Sequence, residues 1–315
     1  MRQGVVNIDS EGTSSQPQMF VRRRGSQRAT RSRTAPYLFV SLAVLVVIVT
    51  NIIPLVTTIW DTVHKNSLLS SEHPFVGFEN YLHVLSDPAF QGALVNTLEY
   101  VGIGIIGVLV VGMPFALWVQ GVKHGKGLLI TMIIIPWAVP GTVNGAIWSL
   151  IFSPSNGILN GILKQLNLIN HDILWLQGSR GLPVVALTLL WQAVPIGALI
   201  LLAGLDHIPH ELYEQCRVDG AGAFRAFWSV TLPLLRPAIA ITMVQTAITG
   251  IGIFDQIYVL NGNASSTLSI VQQTYLYAFK NLDFGFGVSA AMVSTIISFS
   301  VSILVLKFIY REVEF

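Results

Sequence analysis

Polar and apolar positions along this chain separate into blocks instead of alternating with the period of a soluble helix or strand. Six apolar blocks, at about 36–60, 98–119, 128–152, 182–205, 238–260 and 288–310, match or exceed the roughly 20 residues that a helix needs to cross a bilayer core. Because backbone polar groups in lipid must be paired within the segment, the pattern predicts an all-α membrane protein with six transmembrane helices. The first block carries no charge between Arg33 and Asp61, is too long for a signal-peptide core and lacks a small-residue cleavage site at a suitable distance, so it is expected to remain as an anchor. Residues 1–35, rich in Ser, Gln, Thr and Arg, cannot bury enough surface to offset their ordering entropy. They are expected to form a largely disordered basic tail ahead of a membrane domain at 36–315.

Composition removes whole classes of function. Hydrophobic residues make up 52% of the 315 and charged ones only 11%, against about 25% charged in an average soluble protein. With a mean hydropathy of +0.64, nothing is left over for a soluble catalytic core. The single cysteine, Cys216, excludes an internal disulfide and any multi-cysteine zinc or iron–sulfur site. No metal site is expected, since His207-Ile-Pro-His210-Glu211 has the wrong spacing for H-E-x-x-H and a proline between its histidines.

Charge placement orients the helices. Lys and Arg cluster in the N-terminal tail, at Lys123 and Lys126, at Arg217, Arg225 and Arg236, and at Lys307 and Arg311; of 18 in all, only Lys65, Lys164, Arg180 and Lys280 fall in the other loops. Cytoplasmic flanks keep the excess of positive charge, so both termini are expected in the cytoplasm. The Arg22–Arg24 cluster reads as a topology determinant, and no nucleic-acid partner is expected.

Sources of energy leave traces that this chain lacks. The nearest approach to a phosphate-cradling G-x-x-x-x-G-K-[ST] loop runs from Gly121 to Gly127, with glycine where the hydroxyl is needed. Proton pumps carry carboxylates or histidines within the membrane, yet the blocks hold only Asp255, with Glu99 and Lys307 at their edges. Motive force is therefore expected from outside the chain; a stand-alone carrier coupled to sodium through carbonyls is the alternative.

The longest predicted cytoplasmic loop, 206–237, reads as two short helices meeting at Gly220. Pro209, Glu211 and Glu214 suit the start of the first helix and Gly220 its exit. Phe224, Phe227 and Trp228 then share an apolar face that needs a cover.

Within that loop, Glu214-Gln-Cys-Arg-Val-Asp219-Gly220-Ala221, followed by Phe227 and Leu232-Pro233, resembles the EAA loop of bacterial ABC importer permeases, with Gln215 and Cys216 in place of alanines. The resemblance implies the type I permease fold and a loop seated in a separate ATPase subunit, with Glu214 facing a basic group there, Asp219 as a local brace and Gly220 as the turn. ATP and Mg would bind that ATPase, and no cofactor would bind this chain. Phe75-Val-Gly-Phe-Glu-Asn80-Tyr81, Asp87, Phe90, Ala93-Leu-Val-Asn96-Thr97, Phe254-Asp255-Gln-Ile-Tyr258-Val-Leu260 and Leu282-Asp-Phe-Gly285 resemble one branch, the maltose- and glycerol-phosphate-type carbohydrate permeases, and in particular their F-like subunit. The family's pattern departs at Asn261-Gly262-Asn263-Ala264; Asn263-Ala264-Ser265 spells an N-glycosylation sequon that reads as chance in a bacterial-type protein. Implied partners are a homologous second permease, two ATPase subunits, an external solute-binding protein and the bilayer of the bacterial cytoplasmic membrane. A permease for a non-carbohydrate solute is the near alternative.

A sugar path needs hydrogen-bonding groups pointing into the bundle. Thr246, Thr249, Gly250 and Ile253 share one face of the fifth block, and by resemblance Thr246, Gly250 and Ile253 line the path. Further polar contacts are expected from Trp191, Gln192, Asn144 and Trp148, although small residues on such a face also serve close helix packing. Asp255, roughly 26 Å beyond Ala238 on a straight helix, is expected near the outer surface, and with Tyr258 and Asn261 is a candidate contact for the solute-binding protein.

Overall fold

The computed structural model describes residues 35–67 and 72–309. Apart from Ala35, the predicted tail lies outside the described residues. The membrane-relevant helices are α1 (Val40–Thr62), α2 (Pro88–Gly121), α3 (Lys126–Ala138), α4 (Gly141–Ile151), α5 (Gly178–Leu205), α6 (His210–Val218), α7 (Ala223–Leu234), α8 (Arg236–Ile251), α9 (Asp255–Asn261), α10 (Ile270–Tyr275) and α11 (Phe284–Lys307). Among the described residues, β pairing is confined to isolated bridges between His64 and Phe75 and between Ser67 and Asp283.

The chain divides into two units, one ending at Ile53 and one beginning at Pro54. In the first, the apolar side chains of Val44, Leu45, Val49 and Ile52 are exposed, as befits a helix that meets hydrocarbon. The second unit holds the rest of the described bundle.

Four helices, α1, α2, α5 and α11, are each long and apolar enough to cross a membrane. Two more crossings arise only if bent pairs count as one span each: α3 with α4, bent by 86°, and α7 with α8, bent by 67°. The predicted straight helix at 128–152 is thus corrected to two half-helices. Pro140 has no N–H to donate and disfavours helical backbone before it, and Val139 is accordingly extended (φ −72°, ψ 126°). The predicted helix at 238–260 is corrected as well. It ends at Ile251, the backbone turns at Gly252 and Phe254 (φ −138°, ψ −65°), and a new helix begins at Asp255. The straight-helix rise that put Asp255 beyond the membrane core does not apply.

Three buried clusters hold the second unit together. Phe90 and Val101 of α2 meet Ala247 and Ile251 of α8 and Ala290 and Val293 of α11. Met113 and Ala116 of α2 meet Leu201 and Leu205 of α5 and Leu235, Ala238 and Ile239. Tyr100 meets Phe152, Leu182, Val185, Ile257 and Leu260. Since lipid is as apolar as leucine, such clusters hold by close packing and not by escape from water. The clearest close approach is between α4 and α9, where a Cβ on Gly145 would lie 2.7 Å from the Gln256 carbonyl oxygen. Val110, Met132, Leu150 and Ile303 are exposed on the outside of the bundle, the inverse of a soluble fold.

The connections gather at two ends. At one, Lys126 Nζ pairs with Asp206 Oδ2 at 3.0 Å and Gln120 Nε2 donates to Leu205 O at 3.1 Å, tying the α2–α3 turn to the exit of α5. At the other, Asn96 Nδ2 donates to Leu268 O at 3.1 Å and Tyr100 OH to Thr267 O at 2.9 Å. There Asp87 caps α2, accepting from Ala89 N at 2.9 Å, and Tyr277 OH donates to the same carboxylate.

Candidate functional site: a cavity at two helix breaks

Irregular backbone survives at membrane depth only where it is buried in protein or lines a cavity. Here both helix breaks do the latter. A cavity of about 250 Å³ is walled by Trp137 and Gly141 flanking the first break, by Gly252 through Gln256 at the second, and by α2, α5 and α8 between them.

Gln192, on α5, lines this cavity and fastens the first break. Its Nε2 donates to Val139 O at 2.6 Å, pairing a carbonyl left free where α3 ends, while its Oε1 accepts from Asn144 Nδ2 at 3.2 Å. On α8, Thr246 Oγ1 donates to Thr242 O at 2.8 Å and Thr249 Oγ1 to Gln245 O at 2.9 Å. A threonine whose proton is committed this way still offers lone pairs to a donor. Gln245 and Thr249 are exposed, and Thr246 is nearly covered. Gly250 serves both readings of the small-residue face: it lines the cavity, and a Cβ there would lie 3.2 Å from Val101 Cγ2.

Five predicted path residues therefore converge on one cavity: Thr246, Thr249, Gly250, Ile253 and Gln192. Three do not line it. Asn144 is fully buried and acts on Gln192 from behind. Trp148 stacks on Phe152 with centroids 5.3 Å apart and meets Trp191 edge to face at 5.9 Å, so both indoles belong to a neighbouring aromatic group. A hydropathy block does not tell which face of a helix turns toward a cavity, whether the helix is broken, as for Asn144 and Trp148, or continuous, as for Trp191.

Asp255 lines the cavity as well, with an exposed side chain. Tyr258 is exposed and stacked on Phe254 at 5.5 Å. Asn261 is turned inward, its Nδ2 donating to Leu176 O at 3.0 Å and Thr267 Oγ1 at 2.9 Å. Sequence reasoning missed Tyr100, Trp137, Gln245, Phe254 and Gln256. The amides of Gln245 and Gln256 could have been found, since a polar side chain inside an apolar block needs a partner or a cavity. Gln256 is buried and donates to Thr188 Oγ1.

The second site is the loop between α5 and α8. α6 ends with Gly220 at φ +75°, where Gly220 N donates to Arg217 O at 3.0 Å and Ala221 N to Cys216 O at 2.8 Å. This is the paired closure of a Schellman motif, which glycine adopts without Cβ strain. Tyr213 OH lies 3.0 Å from Thr231 Oγ1, joining α6 to α7, and Leu212, Phe227 and Leu232 pack on the bundle. Pro233 is half-buried beside them. Glu214, Asp219 and Gly220 face outward, as do Val218, Phe224 and Trp228, at 87%, 78% and 56% exposure. Of the predicted apolar face, Phe224 and Trp228 are thus uncovered, while Phe227 is turned onto the bundle.

Known proteins are similar to this chain in sequence and in fold. The trehalose/maltose transport system permease protein MalF of Thermococcus litoralis is 32% identical over 277 residues, spanning 86% of this chain and 92% of its own. The sulfoquinovosyl glycerol transport system permease protein SmoG of Agrobacterium fabrum is 32% identical over 238 residues, spanning 75% of this chain and 77% of its own. A chain in the crystal structure of a bacterial ABC transporter involved in the import of the acidic polysaccharide alginate shares the fold with a TM-score of 0.76 at 18% identity, covering 89% of this chain and 96% of that one. Residues 103–314 match the family described as binding-protein-dependent transport system inner membrane component, and the chain belongs to that family.

Proposed function

We propose that this chain is a permease subunit of an ATP-driven ABC importer that carries a carbohydrate-type solute into the cytoplasm by alternating access. The observation that carries this reading is the cavity, where hydroxyls and amides of Thr249, Gln245 and Gln192 stand beside the aromatic surfaces of Trp137 and Phe254 at two breaks in membrane helices. Polyhydroxylated solutes are held by such a mixture of polar groups and apolar faces. Relatives named for trehalose, maltose and sulfoquinovosyl glycerol support the same class.

In this reading the protein performs no covalent chemistry. A homologous permease completes the path, and two ATPase subunits bind ATP and Mg on the cytoplasmic side. The Glu214–Pro233 segment seats in an ATPase, with the Phe224 and Trp228 side chains as apolar anchors and Glu214 toward a basic group. Closure of the ATPases on nucleotide moves α6 and α7 as one piece, because Tyr213 and Thr231 join them, and the motion passes through Leu235 into α8 and the cavity wall. Positive charge on the Lys126 and Arg217 side supports a cytoplasmic location for that end. An external solute-binding protein delivers cargo at the opposite end, near the exposed Tyr258.

The test is uptake of labelled sugars and polyols by the assembled importer in proteoliposomes, with and without ATP. ATP-dependent accumulation that unlabelled carbohydrate suppresses is expected. Accumulation by this chain alone overturns the ATPase coupling, and competition only by amino acids, phosphate or metal ions overturns the solute class.

A further inference from the structure

We propose that the rings of Phe254, Tyr258, Tyr275, Phe279 and Phe284 form an aromatic track along which a carbohydrate passes from the external end of the protein into the cavity; this rests on the reading of that cavity as the solute path.

The rings touch in succession from the cavity wall through α9 and α10 to the start of α11. Phe254, on the wall, stacks on Tyr258 with centroids 5.5 Å apart and meets Tyr275 at 5.1 Å. Tyr275 meets Phe279 at 5.1 Å, and Phe279 meets Phe284, the first residue of α11, edge to face at 5.6 Å. Tyr258 and Tyr275 also face one another at 6.1 Å.

Two other tyrosines are held as structure: Tyr100 and Tyr277 are buried, and their hydroxyls donate to Thr267 O and to the Asp87 carboxylate. Tyr258, Tyr275 and Phe279 are instead exposed, Phe279 at 58%. Among the described residues, neither the Tyr258 nor the Tyr275 hydroxyl has a hydrogen-bond partner. Because Tyr277 is bonded to the residue that caps α2, the exposed rings two positions before and after it stand at the end of the bundle opposite the Lys126–Asp206 pair.

An aromatic ring is apolar over its face and concentrates its negative charge density there. It therefore attracts the C–H groups on one side of a sugar or polyol, whatever the net charge of the solute, while the tyrosine hydroxyls exchange hydrogen bonds with the solute's rim. Rings in contact let a solute meet the next face before it leaves the last. The ordinary use of exposed rings in a membrane is an interfacial belt, which favours tryptophan and tyrosine because their polar tips reach the headgroups. Phe254, Phe279 and Phe284 have no such tip, and the file ends on the cavity wall.

The test is uptake of radiolabelled maltose, trehalose and glycerol 3-phosphate by the assembled importer in proteoliposomes, with its solute-binding protein and ATP. Tyr275→Leu with Phe279→Leu should lower uptake from limiting solute several-fold, and Tyr275→Trp with Phe279→Tyr should restore it, since the track needs ring faces and not side-chain volume. Co-purification of the partner permease and the solute-binding protein should match the parent in both pairs. Should the leucine pair fail to fold, Phe279→Leu alone carries the same comparison. Uptake that the leucine change leaves unaltered, or a loss that the aromatic pair does not restore, overturns the track and leaves the carbohydrate reading standing. Loss of the partner permease or of the solute-binding protein from a folded leucine variant also overturns the track, by giving the rings to that interface. No uptake of any of the three solutes by the parent overturns the carbohydrate reading, and a track for carbohydrate with it.

Discussion

Asn144 donates to Gln192 at 3.2 Å, and Gln192 in turn donates to the carbonyl of Val139 at 2.6 Å, so one buried asparagine and one cavity-lining glutamine close the break in the third membrane crossing. An unpaired carbonyl inside a folded protein costs about 1–3 kcal/mol. Gln192→Ala should therefore destabilise the importer by about that amount, read as a lower thermal midpoint in nanodiscs, in addition to weakening uptake. An unchanged midpoint would show that Val139 needs no partner.

The approach of α4 to α9 allows no side chain at position 145. Because the obstacle is the Gln256 carbonyl, which is backbone, Gly145→Ala should destabilise by about 1–3 kcal/mol and Gly145→Val by more. Folded yield on size-exclusion chromatography should fall in that order.

Two changes in the coupling loop separate strain from contact. Nothing lies within 4 Å of a Cβ at Gly220, but its φ of +75° is one that side-chain-bearing residues avoid. Gly220→Val should distort the α6–α7 turn at a cost of about 1–2 kcal/mol, while Glu214→Ala removes a charge and leaves the backbone alone. The double variant should insert in the membrane normally, yet lose solute-stimulated ATP hydrolysis and uptake together. Normal uptake would refute coupling through this loop.

The exposed aromatic pair Phe224 and Trp228, with ring centroids 6.2 Å apart, is the expected anchor. Buried aromatic anchors typically contribute 2 kcal/mol or more to an interface, so Phe224→Ser with Trp228→Ser should weaken ATPase co-purification by at least about tenfold. Retention at full strength would place the docking face elsewhere.

Tyr277, bonded to the Asp87 carboxylate that caps α2, has its phenol pushed above its ordinary value of 10.0 by burial first and by that hydrogen bond second. A group raised in the folded state contributes fully below its unfolded value and loses that contribution as pH climbs through the raised one. Thermal midpoints should thus decline above about pH 10. Tyr277→Phe should have a lower midpoint at neutral pH and a smaller alkaline decline.

The apolar blocks were legible in the sequence because about 20 apolar residues is a length that the bilayer itself imposes; four of them form single long helices and two fall in bent pairs. The α6–α7 turn was legible because Gly220 and its neighbours act locally: a Schellman closure needs only contiguous backbone. What hydropathy could not convey is the pair of breaks. Pro140 and Gly252 lie inside apolar stretches whose average hydrophobicity is unaffected by them, and the breaks there leave Asn144 and Trp148 off the cavity lining while Asp255 stands on its wall. Once Val139 is recognised as a residue forced out of helical backbone by the proline after it, a partner for its carbonyl becomes necessary, and Gln192 is the amide placed to supply it.

The glutamine that lines the cavity is also the clasp of the frame, so on the proposed function cargo preference cannot be retuned at position 192 without loosening the α3–α4 break. Thr249 and Gln245, bonded to each other and to their own helix, carry no comparable duty. New diets would accordingly be acquired by changes along that face of α8, with α5 remaining as the fixed jaw against which each new cargo is tried.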